Sequence, residues 1–447
     1  MTANNIISGQ SNKQKRSINK HTLFYCVMGL LLFSVFARNI LLVPISATML
    51  LALGCAIALI GDKNEIIALA ICCIPLSPAL QHKYLIFACI VIYVIKFSKD
   101  IKITVAIIPL ILMMLWELVH GFVYDWSMYE YLRIFAELIF CTCLIMWMPK
   151  RINYPMMCRL LAISTICMML IVFVNIMVNH NGNFEEVFSG NYRFGKGEFE
   201  VEGFEVVFNA NGLGFICNLS IVGLLQLIIA KKQKAIDYIF IVLLTLFGTM
   251  TMSRAFLVCF ALAFIMFIFS GYSSIKASLR RLIAILVVII GLAVVAYSVM
   301  PIVIDQFAQR FQVDDITGGR SNLFTFFNRH IVSSPEYSMF GVGIQGFSDT
   351  IRNIYDVGWV CHNGTQEIIV CWGVPGLIMF VWFLFLMVRG TKTDFKRKLV
   401  NFMPLILILV YAQAGQLIRS GIVLLSLSFA VVSLKWSFEE NANELLE

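Results

Sequence analysis

Residues 362–389 read HNGTQEIIVCWGVPGLIMFVWFLFLMVR. From Ile368 to Val388 no side chain is charged, and the apolar run 365–388 is long enough to cross ~30 Å of hydrocarbon as a helix. The run is continuously apolar instead of alternating, so it reads as helix and not as barrel strand. A helix also satisfies its own backbone in lipid. Its entrance is the polar pair His362-Asn363, and its exit is basic, with Arg389, Lys392, Lys396, Arg397 and Lys398.

The whole chain has the same character. Of 447 residues, 60% are hydrophobic and 13% charged, with a mean hydropathy of +0.86. Soluble domains carry about 25% charged residues, so the composition excludes a soluble fold. Further apolar runs fall near 23–37, 40–60, 66–80, 84–95, 103–122, 131–148, 156–178, 210–230, 236–252, 255–270, 282–300, 400–417 and 421–436. The expectation is an all-α polytopic membrane protein with 12–14 transmembrane helices. The runs 66–80 and 84–95 are short enough to be tilted, re-entrant or partial.

Lysine and arginine orient the bundle. With the N-terminus inside and the chain alternating, 23 of the 34 basic residues lie inside and 11 outside. The inside clusters include Lys96/Lys99/Lys102, Lys231/Lys232/Lys234 and Lys276/Arg280/Arg281. The net charge of +8 is therefore a topology signal and not a nucleic-acid footprint. Lys13, Lys15, Arg16 and Lys20 precede the first apolar run without a small-residue cleavage site, which reads as a cytoplasmic tail before a retained span. Most of the 13 cysteines lie inside apolar runs and read as small hydrophobes, with no zinc-like spacing; Cys361 alone neighbours the polar loop.

Two long polar segments fall outside, near 179–209 and 301–364. The second is the largest in the chain, and Gly319-Arg320-Ser321-Asn322-Leu323-Phe324-Thr325-Phe326-Phe327 within it suggests a short helix along the membrane. The outside arginines oppose the charge rule and need another reason. Arg254 stands in Ser253-Arg254-Ala255 between two apolar runs with almost no loop, where a charge is costly without a partner. Arg320 follows Gly318-Gly319, and Arg193 lies in Asn191-Tyr192-Arg193-Phe194-Gly195. Snorkelling to headgroups is the bland reading of such residues. The functional reading is a diphosphate site, because guanidinium pairs bidentately with phosphate oxygens and stabilises a departing diphosphate without a metal. No acidic cluster shows metal-ligand spacing, Asp314-Asp315 reads as a solvated loop pair, and there is no glycine loop for ATP. His362 has the intrinsic pKa of a general base near neutral pH, at ~6.5. His330, His180, His120, His82 and His21 read as structural.

These residues together resemble the O-antigen ligase and O-antigen polymerase superfamily of bacterial inner-membrane glycosyltransferases. Ser253-Arg254-Ala255 looks like that family's Ser-Arg-Gly/Ala element, and Gly319-Arg320 like its Gly-Arg. Gly341-Val342-Gly343-Ile344-Gln345-Gly346-Phe347 looks like its Gly-x-Gly stretch. His362-Asn363 followed after nine residues by Gly373-Val374-Pro375-Gly376 is similar to the ligase signature, and Asn209-Ala210-Asn211 resembles an Asn-x-Asn in which Pro is common at the centre. The resemblance covers roughly residues 190–390. It departs at Val258, where ligases often carry leucine.

The resemblance implies a GT-C-like fold and a metal-independent inverting transfer with no cofactor. The donor is a glycan on undecaprenyl diphosphate. Arg254, Arg320 and His362 are the implied catalytic residues, and Arg193, Asn209, Asn211, Asn363 and Gly319 are candidate substrate contacts. The implied layout is a cytoplasmic tail (1–22), an N-terminal bundle (23–178), a periplasmic loop (179–209), central helices (210–300), a large periplasmic catalytic loop (301–364), C-terminal helices (365–436) and a cytoplasmic tail (437–447). The acceptor is lipid A–core oligosaccharide for a ligase. For a polymerase it is a lipid-linked oligosaccharide, with a chain-length regulator as partner. Beyond membrane lipid and these glycans, no nucleic acid is expected. A flippase or transporter is the reading from another class, weakened by the absence of an internal repeat or of paired broken helices in the sequence.

Overall fold

The computed structural model describes residues 4–77, 82–100, 102–123, 128–149, 151–183, 197–201, 204–269, 320–347, 361–389 and 395–436, with isolated positions between them. The helices are α1 (Asn4–Ile40), α2 (Ala47–Ile60), α3 (Lys63–Leu76), α4 (His82–Phe97), α5 (Ile107–Val123), α6 (Met128–Trp147), α7 (Tyr154–Asn179), α8 (Ala210–Ile229), α9 (Ala235–Met250), α10 (Arg254–Phe269), α11 (Arg320–Phe327), α12 (Pro335–Phe340), α13 (Gly364–Val388), α14 (Phe395–Ala412) and α15 (Gly421–Lys435). Thirteen of the fourteen apolar runs coincide with a described helix; the run 282–300 lies mostly outside the described residues.

The chain is therefore all-α apart from one antiparallel hairpin among the described residues. Its strands β1 (Gly197–Val201) and β2 (Phe204–Phe208) pair from Gly197 opposite Phe208 to Val201 opposite Phe204. The hairpin lies within the segment 179–209, where Val201, Val206, Val207 and the flanking phenylalanines are β-formers. Helix α1 begins at Asn4, within the segment 1–22. Its span begins within that helix, at His21.

Among the described residues, four helices are long and apolar enough to cross a membrane: His21–Ile40, Tyr154–Asn179, Ala210–Ile229 and Gly364–Val388. Six more apolar helices are shorter. At 14 residues, α3 spans only ~21 Å. It is buried on every face from Glu65 to Leu76, as an element apolar all round should be. Asp62 and Glu65 start it with a reciprocal capping box.

The central helix is α8, packed by α7, α9, α10 and α14. Its polar side chains cross to neighbours, which is how helices are fastened where lipid offers no alternative partner. Asn218 donates to Phe256 O at 2.8 Å, Ser220 meets Thr165 at 2.8 Å, and Gln226 donates to Val400 O and Ser433 Oγ at 2.6 and 2.8 Å. Tyr154 donates its hydroxyl to the same Gln226. Also near the start of α7, Arg159 grips Asp237 through two bonds of 2.8 and 2.9 Å.

The run 365–388 is not one uninterrupted helix. At Gly373 the backbone leaves the helical region (φ 66°, ψ −172°), and Pro375 follows. The break is filled from α5. Trp116 donates its indole N–H to Trp372 O at 3.0 Å, and Glu117 accepts the Trp372 indole at 2.7 Å and the Ile344 N–H at 3.0 Å. The His120 ring lies 2.8 Å from Phe340 O. Gly341 and Gly373 press backbone against backbone, so that a Cβ on Gly373 would stand 2.6 Å from Met339 O. Gly373→Ala is expected to destabilise the protein by roughly 2–5 kcal/mol, combining positive-φ strain with overpacking. Thermal unfolding in detergent reads this as a lowered Tm.

Candidate functional site

Arg254 is the first residue of α10 and is set by a tight clasp. Asn209 caps α8 by accepting the Asn211 N–H at 2.9 Å. Asn211 Oδ1 then accepts the Ser253 hydroxyl at 2.8 Å, while Ser253 Oγ accepts the Phe256 N–H at 3.2 Å. The turn before it forces Met252 to φ 48°. Asn209 and Asn211 thus hold Arg254 in place and do not line the cleft described below. Arg193 and Gly319 lie outside the described residues, as do Asp314 and Asp315.

Arg254 and Arg320, far apart in sequence, line one cleft of about 220 Å³. Its remaining walls are Ala255, Leu257, Val258 and Cys259 of α10 and Val410, Tyr411 and Ala414 at the end of α14. One rim reaches the outer surface of the bundle, where Val258 is 60% exposed. Both arginines begin helices, whose N-terminal ends add positive potential. Burial pushes the Arg320 guanidinium below its ordinary pKa; Tyr411 opposes this and the charge of Arg254 adds to it. Two like charges sharing a partly desolvated cleft make a site for an anion.

His362 precedes the cap of α13. Asn363 Oδ1 accepts the Gln366 N–H at 3.0 Å, and its amide donates to Gln413 O and Oε1 at 3.3 and 3.1 Å. Gln366 reaches Phe324 O at 3.0 Å, joining α13 to α11. His362 takes φ 48°, uncommon for a residue with a side chain. It does not line the cleft but is near enough to Arg320 to feel its charge. Burial first, and Arg320 second, hold its pKa below 6.5, so the imidazole is neutral at neutral pH. The other histidines have structural contacts: His82 with Glu137 at 3.1 Å, His21 with Glu65 at 2.6 Å, and His330 against the Phe326 ring.

All thirteen cysteines are free, and most are buried; burial pushes Cys361 well above the ordinary thiol pKa. Among the described residues, the group that could hold a metal by proximity is His21, Asp62 and Glu65. Its carboxylates are engaged in the α3 capping box. Reasoning from sequence missed three polar residues. Tyr411 sat inside an apolar run and gave no signal. Glu117 and Glu367 did give one, as carboxylates within apolar helices.

No family model matches the chain, and no curated protein matches it.

Proposed function

We propose that the chain is an inner-membrane glycosyltransferase. It moves a glycan from undecaprenyl diphosphate to an acceptor hydroxyl on the periplasmic side, as an O-antigen ligase acting on lipid A–core oligosaccharide. The supporting observation is the meeting of Arg254 and Arg320 in one cleft, with His362 under the influence of Arg320. In this reading the arginines hold the diphosphate. His362 takes the proton of the acceptor hydroxyl, whose oxygen bonds to the anomeric carbon from the face opposite the leaving group. The bond from that carbon to the diphosphate oxygen breaks, and the two guanidiniums receive the charge. The apolar wall that reaches the surface at Val258 suits a polyisoprenoid tail. A GT-C-like bundle of 12–14 spans, with the N-terminus in the cytoplasm, goes with this reading.

A repeat-unit polymerase would use the same chemistry, and Val258 at a position where ligases often carry leucine favours it. The break at Gly373 is a transporter-like feature that the sequence did not reveal. Among the described residues it is a single interruption closed by α5, not one of a pair opposed across a midplane.

Complementation in a bacterial host separates these readings on a polysaccharide gel. A ligase restores polymer on lipid A–core, and its loss leaves polymer on the carrier. Loss of a polymerase leaves single repeat units on core. No change in surface glycan in either background would remove the proposal. With purified protein, EDTA should leave turnover unchanged; strong inhibition would refute metal-independent transfer.

The pH dependence follows from His362. Its neutral form is the base, so kcat is lost as pH falls through its pKa. That acid limb should lie below 6.5 and move upward in Arg320→Ala, which removes one of the two causes of the lowering. A limb at or above 6.5 in the wild type would contradict the assignment.

A further inference from the structure

The loop 413–420 between α14 and α15 is gripped from two sides by buried side chains. Glu367, on the first turns of α13 and 1% exposed, accepts the backbone N–H groups of Leu417, Ile418 and Arg419 at 2.6, 3.0 and 3.1 Å. Arg133 of α6, itself paired with Glu130 at 2.6 Å, donates to the carbonyls of Ile418 and Arg419 at 3.4 and 3.2 Å. Asn363, one helical turn before Glu367, holds the start of the same loop through Gln413. Gln413 donates back to Thr365 at 3.3 Å. The helix that leads into this loop carries Tyr411 in its last turn, Ala414 is among the loop's first residues, and both line the arginine cleft. The start of α13, next to His362, is thus tied to the segment whose Tyr411 and Ala414 line the cleft with Arg254 and Arg320.

A carboxylate with three backbone donors is a strong restraint, because each charge-assisted bond is about twice a neutral one. A burial this complete is costly unless the donors are present. We propose that Glu367 is a positioning residue: by fixing the 413–419 loop, which Asn363 also holds, it sets His362 relative to Arg320 at the cleft. A carboxylate that merely stapled the loop would change stability and leave the surroundings of His362 as they are.

The inference rests on His362 as the base, but its test needs no transfer reaction. Diethyl pyrocarbonate modifies the neutral imidazole, so modification of the His362 peptide against pH, read by mass spectrometry on full-length protein in lipid nanodiscs, titrates that residue. The wild-type midpoint should lie below 6.5. In Glu367→Gln it should shift up toward 6.5, as His362 leaves Arg320 and gains solvent, while Glu367→Asp shifts it less. A folded Glu367→Gln with the wild-type midpoint overturns the proposal. If that variant does not fold, Glu367→Asp keeps the charge but draws it back from the three amides, and it carries the test. A raised midpoint there supports the proposal, and an unchanged one overturns it. A raised midpoint in a protein that transfers no glycan would keep the positioning role and remove the transferase reading.

Discussion

His362→Ala is expected to lower glycan transfer by about 10²–10⁴-fold, the usual contribution of a positioned general base. Insertion and Tm should be unchanged. No bond of the imidazole is needed to start α13, since the cap belongs to Asn363, so the side chain can be removed without unwinding the helix. What is lost is a neutral base at a backbone position of φ 48°. Strain of this kind, of order 1–3 kcal/mol, persists where the surroundings over-determine it and clusters at functional positions. Met252, at the same φ, stands two residues before Arg254. Turnover of purified variant with a carrier-linked glycan checks the expectation; activity within a few-fold of wild type would make His362 structural.

Arg254→Ala and Arg320→Ala are each expected to cost about 10²–10³-fold in kcat/KM, by analogy with removing one preorganised donor to a developing anion. The lysine variants should recover little, because a point charge does not reproduce the planar fork. The two losses should not add. Each guanidinium lowers the cost of holding the diphosphate for the other, and residues that act as a unit give non-additive kinetics. A double variant no worse than the poorer single one is therefore the predicted pattern. Strict additivity would mean that the arginines act on different events.

The sequence made the arginines legible because they break a rule. Arg254 and Arg320 sit in segments that the lysine and arginine pattern reads as outside, where positive charge is disfavoured, and the structure brings both to one cleft. The apolar runs were legible for the same kind of reason, since a helix in hydrocarbon has no room for charge. Gly373 was not. In an apolar run, glycine and proline are common enough in membrane helices to pass as helix, and the break depends on Trp116 and Glu117 from a distant helix. Tyr411 was invisible for want of any local pattern, its role coming only from where α14 ends. Asn209 and Asn211 were recognised as a pair, but their bonds show them bracing Ser253-Arg254. That distinction is one of side-chain direction, which spacing does not carry. Glu367 could have been weighed as a carboxylate at the mouth of a span, but its three partners are consecutive backbone amides some fifty residues later.

The most direct measurement of the central claim is binding of undecaprenyl diphosphate to the purified protein in nanodiscs, compared with Arg254→Ala/Arg320→Ala. The account predicts saturable binding by the wild type, competed by inorganic diphosphate, and a loss of about 10–10²-fold in the double variant, the weight of one charge-assisted contact of ~1.5–3 kcal/mol, since the two arginines act as a unit. Equal binding by a folded double variant would show that the cleft does not hold the diphosphate and would contradict the account.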